Sequence, residues 1–202
     1  MATTVKTIFD AVLPRIQQVE VPLPTIVDAI NEATEIIFDR LFKRGSDLIR
    51  REMALSISAE SNTVDLPGNF RGLTGRPFIV GEPDALLPAT ESDIQQLYGK
   101  AGTPTHYELR DDVLAVYPTP EADVEIVGRF YEFPTQATSL TSVVPFRGAF
   151  DRAYREAVVK VALFGPGVVI EPSFAAFLYD AVDEVLVIRQ RHAPIRREIR
   201  DF

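Results

Sequence analysis

Apolar residues recur along this chain with two different periods, and the changes of period divide it into parts. Near the N-terminus Val5, Ile8, Phe9 and Val12 fall at i, i+3, i+4 and i+7. That spacing predicts a short amphipathic helix over residues 3–12, ended by Pro14. An extended connection carrying Pro22 and Pro24 follows. Ile26, Ala29, Ile30, Ala33, Ile37 and Leu41 then make one face of a longer helix, with Glu32, Glu35 and Asp39 turned away from it. Thr25 and Asp28 have the spacing of a capping box at its start. Lys43, Arg44 and Gly45 supply basic residues and a glycine stop at its end.

From residue 50 the period drops to two. Met53, Leu55 and Ile57 alternate with Ala54, Ser56 and Ser58, the pattern of a half-buried strand. Residues 59–62 read as a turn and residues 63–66 as the returning strand. Next comes Leu66-Pro67-Gly68-Asn69-Phe70-Arg71-Gly72-Leu73-Thr74-Gly75-Arg76-Pro77-Phe78, with three glycines and two prolines in thirteen residues. No helix or central strand is expected through it, so it reads as an irregular crossover at the heart of an inserted β module. Residues 78–80 and 85–87 predict short strands, and Thr90 with Asp93 predicts a capped short helix to about Tyr98. Residues 105–109 and 113–117 predict a hairpin around Arg110-Asp111-Asp112. Residues 123–133 predict a longer strand with Val124, Ile126, Gly128 and Phe130 on one face, closed by Pro134.

The helical period then returns. Phe146, Ala149, Phe150, Ala153, Ala157 and Val161 predict a helix over residues 145–164, supported by Asp151–Arg155 and Glu156–Lys160 pairs in the favourable order. Gly165-Pro166-Gly167 breaks it, and Pro172 opens a last helix running to about His192. Phe174, Phe177, Leu178, Ala181, Val182, Val185, Leu186 and Ile188 leave that helix only a narrow polar strip of Asp180, Asp183, Glu184 and Arg191. A helix so apolar is covered on several sides, by its own bundle or by a neighbouring subunit. The expected fold class is therefore α+β. A helical bundle made by residues 1–49 and 135–192 carries an antiparallel β module inserted at residues 50–134, and residues 193–202 form a separate terminal arm.

Composition narrows the function classes. A chain of 202 residues buries roughly 70% of its unfolded surface and needs no covalent staple. It contains no cysteine, which excludes disulfides, thiolate metal sites and cysteine nucleophiles. No secretory signal opens it and no apolar run reaches the ~18 residues of a membrane span. It reads as a protein made and kept in the cytoplasm, unless exported inside a particle, with no membrane partner. Twenty-nine acidic against 21 basic residues give a formal charge of −8, which speaks for solubility and against a general nucleic-acid coat. A local basic feature does exist at the C-terminus, where Arg196, Arg197 and Arg200 interleave with Ile195, Ile199 and Phe202. That tail reads either as a solvated terminus or as a docking arm, since arginines and aromatics concentrate at interface hot spots.

Catalytic material is scarce. The two histidines, His106 and His192, are too few for a multi-histidine zinc site. His106 reads as a structural polar group in a strand and His192 as a charge at a helix C-terminus. Neither Gly68, Gly72 and Gly75 nor Gly165-Pro166-Gly167 is followed by the Lys-Ser/Thr of a phosphate loop. Asp111-Asp112 reads as a turn and Glu121-Ala122-Asp123 as a solvated loop. No enzyme, cofactor or metal site is expected.

The order of elements, together with Leu66-Pro67-Gly68-Asn69-Phe70-Arg71, resembles the head–tail adaptor (connector) proteins of tailed bacteriophages. Members often show Leu-Pro-x-Asp-Phe after a β-hairpin. Pro104-Thr105-His106-Tyr107, Leu114-Ala115-Val116-Tyr117-Pro118-Thr119-Pro120, Tyr131-Glu132-Phe133-Pro134 and Leu140-Thr141 are similar to passages that follow in that family. Asn69 departs from the common aspartate, and tryptophan is absent. The resemblance implies a structural virion protein forming a twelvefold ring between the portal and a tail or nozzle protein. Such a ring extends the channel through which double-stranded DNA passes without sequence recognition, and helps retain the packaged genome. By position, the family's portal-reaching role falls to Arg191, Arg196, Arg197, Arg200 and Phe202. A non-virion binding module, such as a chaperone or regulator, is the second reading, and a carboxylate hydrolase of the phage neck is a remote third.

Overall fold

The structure, a computed structural model, describes residues 3–16 and 19–192, with residue 147 and the last three of these by backbone alone. The described residues form helices α1 (Val5–Val12), α2 (Leu23–Lys43), α3 (Glu91–Leu97), α4 (Asp151–Phe164) and α5 (Pro172–His192). Strands are β1 (Arg50–Ile57), β2 (Thr63–Asp65), β3 (Phe70–Leu73), β4 (Phe78–Ile79), β5 (Leu87–Pro88), β6 (His106–Arg110), β7 (Val113–Tyr117) and β8 (Val124–Glu132). The chain is an α+β protein. It divides into two compact units, one of residues 1–48 with 134–202 and one of residues 49–133.

In the helical unit α2 is the central support. Ile26, Ala29, Ile30, Ala33, Ile37 and Leu41, the face expected from their spacing, are all buried. The helix starts earlier than the capping-box pattern suggested. It opens at Leu23 with Pro24 in its first turn, where a missing N–H costs nothing, so Thr25 lies inside it. At the other end Gly45 adopts φ +61, and the Gly45 and Ser46 N–H groups bond back to the Phe42 and Leu41 carbonyls at 2.9 and 3.0 Å. These are the two bonds of a Schellman stop.

α4 begins six residues later than the apolar period predicted. Residues Pro145–Gly148 form a separate 3-10 turn, with Phe146 and Gly148 at positive φ, and only from Asp151 does the α-helix run. Its two expected acid–base pairs give way to longer-range partners. Arg15 donates to both oxygens of Glu156 at 2.6 and 3.1 Å, and the Thr3 hydroxyl donates to Asp151 at 3.2 Å. At the centre of the bundle Thr34 donates to the Ile30 carbonyl at 2.8 Å, leaving its oxygen to accept from the Tyr154 hydroxyl at 3.2 Å. Burial pushes the Tyr154 phenol well above its ordinary range.

The β unit is two four-stranded sheets. One has the order β1-β8-β3, with β4 also on β8; the other has the order β2-β7-β6-β5. Ile57, Ile79 and Ile126 of the first sheet and Leu114 and Val116 of the second meet in one buried core. Two expectations change here. The returning strand β2 pairs with β7 rather than β1, because the turn between β1 and β2 is held elsewhere: Glu60 N–H bonds to the Pro120 carbonyl and Ala59 N–H to the Asp123 carboxylate. The glycine-rich stretch, read as irregular crossover, contains the edge strand β3, and a register shift between Phe70 and Gly72 absorbs its irregularity. Pairing is antiparallel throughout the described ladders except between β5 and β6, which run parallel.

Candidate interaction surfaces

The motifs of the β unit that carried the resemblance have structural tasks. The Asn69 amide donates to Glu132 at 2.7 Å, and the Asn69 carbonyl accepts from Phe133 N–H at 2.8 Å. Phe70 stacks on Phe130 with centroids 5.7 Å apart, and the Arg71 guanidinium lies 4.8 Å from the Phe133 ring centroid. Glu132 also receives Arg51 at 2.7 Å. The first motif thus closes on Tyr131-Glu132-Phe133 and ties β3 to the end of β8. The second pair of motifs builds the β6–β7 hairpin, with His106 opposite Tyr117 and Tyr107 opposite Val116. The tip of that hairpin is Asp111-Asp112 alone, with Arg110 already in β6, and Asp111 takes φ +47. Arg110 and the Tyr117 hydroxyl both bond to Glu108, holding its carboxyl below the usual range, Arg110 contributing most.

The residues named for partner binding are not brought together by the described structure. Arg191 lies in the last turn of α5 without a described side chain, and Arg196, Arg197, Arg200 and Phe202 lie outside the described residues. The His106 imidazole is engaged with the Thr105 hydroxyl at 2.9 Å. Among the described residues no three or more His, Asp or Glu side chains group as a metal site.

Two surface features stand out instead. In the helical unit a groove of about 270 Å³ runs between α4 and α5. Its floor is Phe150, Ala153, Phe177, Ala181 and Val185, and Asp180, Glu184 and Arg152 stand at its rim. It exists because the apolar arc of α5 is wider than the bundle covers: Phe174, Leu178 and Val182 are buried, whereas Phe177 and Ala181 are half-buried and Ile188 is exposed. The polar edge of α5 is fixed by Asp183, which receives Arg40 at 2.5 Å and Arg44 at 2.8 Å. Those two guanidinia, Arg40 first, hold its carboxyl at about 2. The periodicity showed the width of α5's apolar arc; it could not show which flank the bundle leaves open.

In the β unit a recess of about 600 Å³ lies on the β1–β8–β4 sheet, lined by Arg50, Arg76 and Arg129 with Glu52 and Phe78. Gly128 is part of its lining and lets Met53 and Pro77 pack close to β8, since a Cβ there would come within 3.1 Å of Met53 and 3.3 Å of Pro77. Three arginines gathered in one place contrast with the rest of this unit, where residues 49–133 hold seven basic and fourteen acidic side chains. Sequence reading missed this recess, because Arg50, Arg76 and Arg129 are far apart in the chain. Arg50 opens β1, Arg76 precedes β4 and Arg129 lies within β8, so it is the pairing of β1 and β4 with β8 that gathers them.

The sequence model of the family described as SU10 adaptor protein matches residues 3–197, a span that includes nearly the whole chain and both units. No curated protein matches the chain.

Proposed function

The chain belongs to the SU10 adaptor protein family, structural adaptors of tailed bacteriophages, and from that premise we propose that its copies form a ring between the portal and the tail. The observation that carries this reading is the incompletely buried apolar flank of α5, with Phe177 and Ala181 half-buried and Ile188 exposed, in a helix whose Phe174, Leu178 and Val182 are core. An apolar flank beside a groove is a surface prepared for a protein partner. The ring is twelvefold and extends the channel through which the packaged DNA leaves. It is part of the virion, and by stacking below the portal it helps to retain the genome after packaging. The helical unit, nearly balanced in charge, faces neighbours and portal. The portal is met by Arg191 at the end of α5 and by Arg196, Arg197, Arg200 and Phe202 of the terminal arm. The β unit faces the tail or nozzle protein, and its arginine recess suits an acidic segment there. The excess of acids in the β unit supports a channel past which DNA slides without sticking.

The test is the mass of the purified protein, alone and mixed with a portal ring. A ring that includes both proteins establishes the adaptor. Deleting residues 193–202 is expected to abolish portal docking with the melting temperature unchanged, and full docking of the truncated chain would remove the arm from this account. A chain that stays monomeric and never joins a portal or particle would move the assignment to a binding module outside the virion.

A further inference from the structure

The α4–α5 turn carries an apolar knob. Leu163, Phe164 and Ile170 are 53%, 69% and 63% exposed, around Gly165 at φ +91 and Gly167 at φ +86. The knob is firmly rooted: Val168 and Val169 beneath it are buried, and Gly165 N–H bonds to the Val161 carbonyl at 2.9 Å. Lys160 holds its ammonium 5.0 Å from the centroid of the Phe164 ring, so the knob is an aromatic side chain accompanied by a cation. The α4–α5 groove has the complementary make-up, an apolar floor whose rim is net acidic, the exposed carboxylates of Asp180 and Glu184 on α5 outnumbering Arg152 on α4. An apolar cavity of about 150 Å³ accommodates a benzene ring, so the groove has room for one phenyl group.

The knob cannot enter the groove of its own chain. Both are built on α4, and the eleven helical steps from Ala153 to Phe164 separate them by about 16 Å of rigid helix. We propose that Phe164, flanked by Leu163 and Ile170, seats in the α4–α5 groove of a second copy, where Lys160 meets Asp180 and Glu184. This contact rests on the ring reading and names its subunit interface. Two different patches of one unit are joined, so the contact is heterologous: it repeats head to tail and yields a closed ring when its rotation closes.

The chain's lack of cysteine makes the contact directly readable. In the Lys160→Cys/Glu184→Cys double variant, oxidation during assembly on a portal ring is expected to produce covalent multimers that reductant dissolves. Each single variant should give none. Phe164→Asp should raise the concentration for half-assembly tenfold or more at an unchanged melting temperature, as loss of an aromatic hot spot does. Lys160→Glu and Glu184→Lys should each weaken assembly, and the two together should restore it. Rings that form at the wild-type concentration with Phe164→Asp and do not cross-link overturn this interface and leave the ring standing. A chain that stays monomeric even on the portal overturns the ring, and this contact with it.

Discussion

α2 and α5 have the same length, 21 residues each, and belong to the same unit, yet they use their apolar residues differently. In α2 the face made by Ile26, Ala29, Ile30, Ala33, Ile37 and Leu41 is wholly inside, large apolar side chains being exposed only at the helix ends, at Leu23 and Phe42. The helix ends in a Schellman stop that satisfies its last carbonyls. In α5 the apolar arc is too broad for the bundle: Phe174, Leu178 and Val182 are core, while Val187 and Ile188 stay 46% and 48% exposed. A helix whose apolar width matches its burial is scaffold. One that overshoots carries surface meant for something else. Substitutions on the two helices should therefore separate stability from assembly.

The largest effect is expected on α2. Ile37→Ala empties a fully buried site, and such truncations cost roughly 2–5 kcal/mol. For a chain of this size that lowers the melting temperature by roughly 5–15 °C. Thermal unfolding followed by circular dichroism measures it, and a loss under 1 kcal/mol would remove α2 from the centre of the bundle.

Asp183 is where the two helices are joined, so Asp183→Asn tests the seam. Its carboxyl is held at about 2, below the ordinary carboxylate value, by Arg40 and Arg44. A depressed carboxylate contributes stability above its unfolded value and loses it as pH falls through the folded one. The wild type should thus lose this contribution between about pH 4 and pH 2. The group is about a third exposed, so solvent screening reduces the effect to about 1 kcal/mol at neutral pH. Wild type and variant should converge in stability near pH 2; a gap that persists there would mean the side chain acts through packing rather than charge.

Tyr154→Phe probes the contact between α2 and α4. The hydroxyl of Tyr154 loses its bond to Thr34, but Thr34 keeps its bond to the Ile30 carbonyl. No donor is stranded, so the cost is that of one buried hydrogen bond, about 1 kcal/mol. Denaturant unfolding with an unchanged m-value would read it.

The same contrast governs what the sequence could tell. The buried face of α2 was legible residue by residue, because one apolar face on a helix has one use. The strand faces of β1 and β8 were equally plain, as Met53, Ile57, Ile126 and Phe130 are buried in the alternation that their spacing required. What local pattern could not reach was the choice among partners. β1 and β2 look like a hairpin, but Asp123 and Pro120 hold the turn so that β2 joins the other sheet. Glu156 has Lys160 at the favourable spacing, and Arg15 takes it from 141 residues away. The start of α4 was overrun because Phe146 and Phe150 keep the helical period across a 3-10 turn, where their rings meet edge to face. Surfaces were less legible again: the groove and the arginine recess each assemble side chains from separate elements, and no one segment announces them.

A smaller effect of opposite sign is expected at Glu32. One of its carboxylate oxygens is buried without a hydrogen-bond partner, and burial, then Asp28 and Glu35, raise its affinity for protons. A carboxyl raised in this way favours the folded state below its unfolded value and loses that advantage as pH rises through the folded one. Glu32→Gln should therefore stabilise the protein at neutral pH by a few tenths of a kcal/mol, and the gain should vanish below about pH 4. A destabilised variant at pH 7 would point to a partner for that oxygen.

The smallest stability effect is expected on the outer flank of α5. Ile188→Ser shortens a side chain that is already about half in water, so unfolding should move by no more than about 0.5 kcal/mol. If the flank were idle surface, nothing else would change. If it covers a partner, the same substitution removes apolar area from the assembled state alone, and the mass distribution of the protein on a portal ring should shift toward free subunits. Those two readouts must part company for α5 to be what its width suggests. A melting temperature that falls as far as that of Ile37→Ala would make α5 a second scaffold helix, and the contrast with α2 would be lost.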